Sequence, residues 1–257
     1  MKRIKKTGIK GDDLLLIDKY YAKVQELFDT IMDTQRENIL KASSLIFNTI
    51  QKGGAVHIYD TGHIINNELI HRAGGLVLMK QLKYTFNVEN PVRQRENAKA
   101  KKISQEGVGK YILAKSNVEA GDVLIIGSVS GKNDITVEMA LSARSMGVSV
   151  ISITSLDYSS KISSEHSSGK RLFEVSDIVI DNCAPLGDAM ISVEGINTNI
   201  CPASGLAAAF IMWAITADLI DKMVKAGIKP SVYRSQNLTD GDVYNKNAEE
   251  SYNSTGF

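Results

Sequence analysis

Hydrophobic positions along this chain follow two different periods. From Asp13 onward, Leu14, Ile17, Tyr20, Tyr21, Val24, Leu27, Phe28 and Ile31 recur at helical spacing. A second helical pattern begins at Thr34 and runs through Ile39, Ala42, Leu45, Ile46 and Ile50, and the glycines of "KGG" (52–54) stop it. The two patterns predict a helical hairpin over 13–52. The segment before it, 1–12, reads as a basic tail, since five of the first ten residues are lysine or arginine.

Past Gly54 the pattern changes to short, β-branched apolar runs. "AVHIYD" (55–60), "DVLIIGS" (122–128), "VSVISITS" (148–155) and "DIVIDN" (177–182) read as strands buried on both faces, with "GLVLM" (75–79) a weaker fifth. Segments of helix length separate them: 64–73, 99–117, 133–146 and the short 169–175. Strand alternating with helix predicts a parallel sheet with right-handed crossovers, forming one domain over 53–230. Within it, "CPASGLAAAFIMWAITADLIDKMVKAG" (201–227) predicts a buried helix over 203–226, with Pro202 before its start and Gly227 after its end. The polar, turn-rich 231–257 reads as a C-terminal loop and tail.

Composition narrows the possibilities. A formal charge of +1 gives no general attraction for nucleic acid or an anionic membrane. The basic run "RQRENAKAKK" (93–102) is broken by Glu96 and lacks aromatics, so it reads as a solvated helix rather than an RNA-binding face. No signal-peptide core follows the basic N-terminus, and no run reaches the roughly 20 apolar residues of a bilayer span. A cytoplasmic setting is expected. Cys183 and Cys201 make neither a disulfide framework nor a metal cluster, and no metal or cofactor is expected.

In an open α/β sheet, ligands bind beyond the carboxyl ends of the strands. The strand exits here are "DTGHI" (60–64), "SVSGKN" (128–133), "TSLDYSS" (154–160) and "DNCAPLGDA" (181–189), with "CPASG" (201–205) leading into the long helix. They are rich in hydroxyls and glycine. Such loops can cap helices and close turns, or they can hold an anion with backbone N–H groups and short donors. Three on one sheet edge favour the anion. The dinucleotide fingerprint and the P-loop are absent, and in "GSVSG" Val129 stands where a hydrolase nucleophile would be.

The succession "GDVLIIGSVSGKN", "GVSVISITS" and "SDIVIDN" resembles the sugar isomerase (SIS) phosphosugar-binding domain over about residues 34–226. "HSSGKRLFEVSDIVIDNCAPLGDA" (166–189) and "SQNLTDGDVYN" (235–245) resemble one bacterial branch of it. The resemblance implies a three-layer α/β/α sandwich with a five-stranded parallel, flavodoxin-like sheet, a homodimer, and a phosphorylated sugar as ligand. It implies phosphate ligands at Ser128, Ser130, Gly131 and Asn133, with Thr154 and Ser155 close by. The first strand exit departs from the branch's glycine-rich loop. Asp60 brings a negative charge and Ile64 lacks a hydroxyl, so Asp60 either accepts from sugar hydroxyls or caps the next helix.

Isomerisation of a sugar phosphate needs a base and a donor that stabilises an enediolate. Glu68 and His63 are the candidates for proton transfer, with His166 also in the catalytic set. Lys170 and Ser204 complete the substrate-binding candidates. Glu68 and His71 could equally form a helix-surface pair, Lys170 and Arg171 a solvated helix start, and His57, inside a strand, a packing residue. In "HRAGG" (71–75) a glycine stands where phosphoheptose isomerases carry the glutamate of a His-x-x-x-Glu metal pair, which argues against their metal mechanism. A sugar-phosphate lyase, or a phosphosugar sensor without turnover, is the alternative.

Overall fold

A computed structural model of the protein describes residues 15–61, 66–89, 91, 93 and 103–257. The basic tail over 1–12, His63 and Ile64, and most of the basic run 93–102 lie outside the described residues.

The chain opens with one helix, α1 (Leu16–Gln51), 36 residues long. This corrects the expected hairpin. The polar stretch 33–38 contains neither glycine nor proline, so nothing in it breaks a helix. Its inward face also continues through Ile31, the partly buried Gln35, Ile39, Ala42, Ile46 and Ile50, and Gln35 accepts the Asp181 N–H at 3.1 Å. A polar residue interrupts the hydrophobic pattern there without interrupting the packing.

Five parallel strands follow: β1 (Val56–Asp60), β2 (Met79–Gln81), β3 (Val123–Gly127), β4 (Ser149–Thr154) and β5 (Ile178–Asp181), in the order β2-β1-β3-β4-β5. The helices α2 (Asn66–Leu69), α3 (Val108–Lys115), α4 (Asp134–Ser145) and α5 (Leu156–Ser159) lie between them. A 3-10 turn, Leu172–Val175, stands where a short helix was expected. An antiparallel pair, β6 (Ala189–Ile191) and β7 (Ile200–Pro202), leads into α6 (Ser204–Lys225).

Alternation along the strands builds the two faces of the sandwich. Val123 and Ile125 of β3 join a core with α1 and α6, while Leu124 and Ile126 join the core under α3 and α4. All four are fully buried, and each such side chain contributes roughly 1.5–3 kcal/mol. That two-sided burial explains why the strands read as continuous apolar runs. α6 is the one described helix long and apolar enough to cross a membrane. Its Ala207, Ile211, Ile215 and Leu219 are buried in the core shared with α1.

The C-terminal tail is likewise corrected. From Ser231 the chain pairs with residues 74–77, just before β2: Gly74 N–H donates to the Tyr233 carbonyl, Val77 N–H to Ser231, and Tyr233 N–H to Gly75. It then forms α7 (Gly241–Thr255), which buries Ala248. The helix is mostly polar, so its sequence carries little periodic signal. Its position is held by Glu249, which accepts from Lys80 Nζ at 2.7 Å and from the Tyr233 hydroxyl. The same edge pairing explains β2, which begins four residues later than expected. Residues 75–77 turn their main chain toward 231–233, and only Met79–Gln81 pair with β1.

Candidate functional site

The exits of β1, β3, β4 and β5 stand side by side, with Asp60 opposite Gly127 and Thr154 opposite Asp181. The chain leaves β1 toward β2 on one side, and β3 lies on the other, so the strand order switches between β1 and β3. Thr61 crosses this gap, donating both its N–H and its hydroxyl to the Gly127 carbonyl at 3.2 Å.

The turn 128–133 rises from β3 at that gap. Four of its carbonyls are bound into the fold. The Val129 carbonyl accepts from Ser155 N–H and from the Thr154 hydroxyl, each at 3.0 Å. Gly131 accepts from Leu172 N–H at 2.8 Å, Lys132 from Glu165 N–H at 2.9 Å, and Asn133 from Thr136 and Val137 N–H at 3.1 Å. Among the described residues, none of the N–H groups of 129–133 donates to a protein acceptor, nor do the Ser128 and Ser130 hydroxyls. Gly131 is left-handed, at φ +57°, and a Cβ there would lie 2.9 Å from Leu172 Cβ. A left-handed glycine in a run of open amides, leading into the first turn of α4, is a concave arrangement suited to anions.

Thr154 and Ser155 are fully buried and face inward. Ser155 donates to the Ala184 carbonyl at 2.6 Å and caps α5 by accepting Tyr158 N–H at 3.0 Å. The Thr154 hydroxyl and the Ser155 N–H hold the Val129 carbonyl of the turn, and both hydroxyls are engaged inside the protein. Ser204 is similarly engaged. Its N–H and hydroxyl both donate to Asp188, at 2.8 Å, capping the start of α6. Asp188 itself is left-handed, at φ +68°.

Glu68 is half-exposed and forms an ion pair with Arg72 at 3.3 Å. It lines a groove of about 610 Å3 with Tyr20, Cys201, Pro202, Ser204 and Leu206. Glu68 and Ser204 are thus brought together, a pairing with no signature in the sequence. Asp60 is half-buried at the end of β1. Among the described residues, no three metal-ligating side chains gather at one point.

His166 is buried and bonded through both ring nitrogens. Its Nδ1 accepts Ser168 N–H at 3.0 Å, which puts the ring proton on Nε2, and Nε2 lies 3.2 Å from Glu138 Oε2. Lys170 is exposed on the same loop, and its carbonyl accepts from the Ser164 hydroxyl at 2.6 Å. Glu106 accepts from the Ser167 hydroxyl and N–H, and these bonds hold its carboxyl below the usual carboxylate range.

Asn182 and Asp188 were not singled out from the sequence, and Arg171 was read only as part of a possible solvated helix start. Asn182, at the exit of β5, accepts Ala184 N–H at 3.0 Å, and its buried Nδ2 has no acceptor among the described residues. Arg171 Nη1 donates to the carbonyls of Ser159, Ser160 and Ile162, fastening the loop after α5. The strings "DNCAPLGD" and "SGKRL" were the available signal for Asn182, Asp188 and Arg171. Their roles depend on main-chain partners far away in sequence.

A family model described as SIS domain matches residues 19–155. The UPF0309 protein of Shouchella clausii (strain KSM-K16) is 37% identical over 235 residues, 90% of this chain and 94% of that protein. The UPF0309 protein of Oceanobacillus iheyensis is 35% identical over 239 residues, 91% of this chain and 95% of that one. Among solved structures, the Vibrio vulnificus NanR protein complexed with ManNAc-6P aligns at a TM-score of 0.51 and 12% identity, covering 95% of this chain and 70% of that chain. Phosphoheptose isomerase from Neisseria gonorrhoeae aligns at 0.50 and 14%, covering 81% of this chain and 97% of that chain. At such identities the two structures share the fold.

Proposed function

The chain belongs to the SIS domain family, and from that membership we propose that it binds a phosphorylated sugar at the carboxyl edge of its sheet. The observation that carries the proposal is the 128–133 turn, whose carbonyls at 129 and 131–133 are bound into the fold while its N–H groups from 129 to 133 and two serine hydroxyls meet no acceptor among the described residues. A phosphate is received by Ser128, Ser130, Gly131 and the N–H of Asn133, on a turn shaped by Thr154 and Ser155. The sugar extends toward Asp60, which can accept from its hydroxyls. The NanR protein, which has the same fold, is complexed with ManNAc-6P, so amino-sugar phosphates belong among the ligands to be tested.

The reaction proposed is aldose–ketose isomerisation. Glu68 removes the proton from the carbon beside the carbonyl, and the bonding pair moves to form an enediolate. The hydroxyl proton passes to the former carbonyl oxygen, the carbon-bound proton is returned to the former carbonyl carbon, and the carbonyl forms on the carbon that was deprotonated. His63 is the alternative base. The change is redox-neutral, so no redox cofactor is called for. A second reading, phosphosugar sensing without turnover, is favoured by the half-exposed, ion-paired state of Glu68 and the enclosed state of His166. We further propose that the protein is cytoplasmic and works as a homodimer.

Thermal-shift screening with hexose, amino-sugar and pentose phosphates beside the unphosphorylated sugars tests binding. Stabilisation that depends on the phosphate is the expected result, because a ligand at 100 times its Kd adds about 2.7 kcal/mol. No shift at millimolar ligand would overturn the proposal. Entry of solvent deuterium into the best ligand, followed by NMR, separates isomerase from sensor.

A further inference from the structure

The loop between α5 and the 3-10 turn is fastened to the anion turn at two points. Glu165 N–H donates to the Lys132 carbonyl at 2.9 Å, and Leu172 N–H donates to the Gly131 carbonyl at 2.8 Å. Glu165 also meets Lys132 Nζ at 3.0 Å. Between these two points the loop carries His166, which is enclosed where α3 and α4 approach each other: a Cβ on Gly109 of α3 would meet Glu138 Cγ at 2.9 Å.

His166 is positioned by three elements. From its own loop, Ser168 supplies the N–H bonded to Nδ1. From α4, Glu138 faces Nε2 at 3.2 Å, and Glu138 in turn accepts the Ser142 hydroxyl at 3.0 Å. From the segment before α3, Glu106 stands 4.0 Å from Nε2 and binds the adjacent Ser167 through N–H and hydroxyl. Both ring nitrogens are therefore occupied inside the protein. A ring held in this way has no free nitrogen for a substrate, but it fixes the loop that carries it.

We propose that His166 is a positioning residue. Its bonds to Glu138 and Ser168 lock the 160–172 loop against α4, and through Glu165 and Leu172 that loop holds the carbonyls of 131 and 132 turned inward, leaving the amides of 129–133 facing the ligand. The proposal rests on the phosphosugar reading for what the turn binds, but the lock itself is a property of the free protein. It also accounts for the "HSSGKRL" string, whose His, Ser and Leu supply the ring, its N–H donor partner and the clamp on Gly131.

Amide hydrogen exchange on the full chain, free of ligand, tests the lock, and titration with inorganic phosphate tests its consequence. His166→Ala is expected to raise exchange at Glu165, Ser168 and Leu172 by about tenfold or more, the scale of a lost hydrogen bond to a charged group, while Ile125 and Ile151 in the central strands stay protected. Phosphate affinity is expected to fall by a similar factor. His166→Gln, whose amide nitrogen can still donate to Glu138, is expected to restore much of both. Paired with Glu138→Ala, the His166→Ala effect is expected to be less than additive. Unchanged exchange at Glu165 and Leu172, or a rise spread evenly over the sheet, would overturn the lock. If wild-type protein ignores phosphate while His166→Ala still loosens the loop, the phosphosugar reading fails and the lock stands.

Discussion

His57 Nε2 lies 2.9 Å from Asp122 Oδ2, at the edge of the sheet opposite the 128–133 turn. Asp122 also accepts Ala55 N–H at 2.8 Å and Glu119 N–H at 2.9 Å, so one buried carboxylate joins the starts of β1 and β3. The histidine inside a strand, read as a packing residue, is a packing residue with a polar anchor. Asp122→Ala removes three acceptor contacts and leaves His57 without its partner. The expected cost is on the order of 3 kcal/mol in denaturant unfolding, with phosphosugar affinity unchanged. A large loss of affinity at full stability would contradict a purely structural role at this edge.

Gly131→Ala puts a Cβ into a left-handed turn and 2.9 Å from Leu172 Cβ. Strain of this kind costs about 1–3 kcal/mol. Because relief requires the turn to move, binding of the phosphorylated ligand should weaken more than the folded state does. Thermal shift with and without ligand separates the two effects, and equal losses in both would argue against the turn as the anion site.

Glu68→Gln and Arg72→Ala test the proposed base. The pair is exposed, so each change should alter stability by less than about 1 kcal/mol. If Glu68 transfers the proton, Glu68→Gln should lower isomerase turnover by roughly 10²–10⁴-fold with ligand affinity retained. Deuterium entry at the wild-type rate in Glu68→Gln would transfer the role to His63 or remove it.

The contact between α1 and α6 carries an acid-sensitive bond. Burial alone would raise the Asp218 carboxyl, but the Lys222 ammonium and the Ser43 hydroxyl hold it below the usual carboxylate range. A depressed carboxylate stabilises the fold above its unfolded pKa of about 4, and that contribution is lost as pH falls through the lower folded value. Asp218→Asn should therefore be less stable than wild type at pH 7 and lose less on acidification below about pH 4. Parallel stability curves across that range would refute the assignment.

Apolar residues remain uncovered on the first turns of α1 and on the outer face of α6: Leu16, Ile17 and Tyr21, with Leu206 and Val224. If this surface joins two copies, light scattering should give twice the chain mass for wild type. Ile17→Glu with Leu206→Glu should give the monomer without loss of secondary structure. A wild-type monomer at high micromolar concentration would end the homodimer proposal.

Much of this molecule is legible in the residue pattern because its central strands are buried on both faces. Val123 through Ile126 must all be apolar to face two cores, and "LIIG" followed by "SVSGKN" states both the strand and its exit. The single long α1 was less legible, because Gln35 satisfies a main-chain N–H from a strand nearly 150 residues later and looks like a gap in the pattern until that strand is in place. For α7 the cause is similar, since its hold on the sheet edge runs through Glu249 and Tyr233 rather than an apolar stripe.

The sequence by itself determined the sheet, its parallel direction and the hydroxyl-rich turn that leaves β3, because burial and backbone conformation act on neighbouring residues and leave local signatures. Only the tertiary structure decided which hydroxyls stay open. Ser128 and Ser130 keep theirs, whereas Thr154, Ser155 and Ser204 commit theirs to Val129, Ala184 and Asp188. It also brought His166 within 3.2 Å of Glu138. A hydroxyl or an imidazole has the same donors wherever it stands in the chain, and its role depends on which partner the packing brings within about 3 Å.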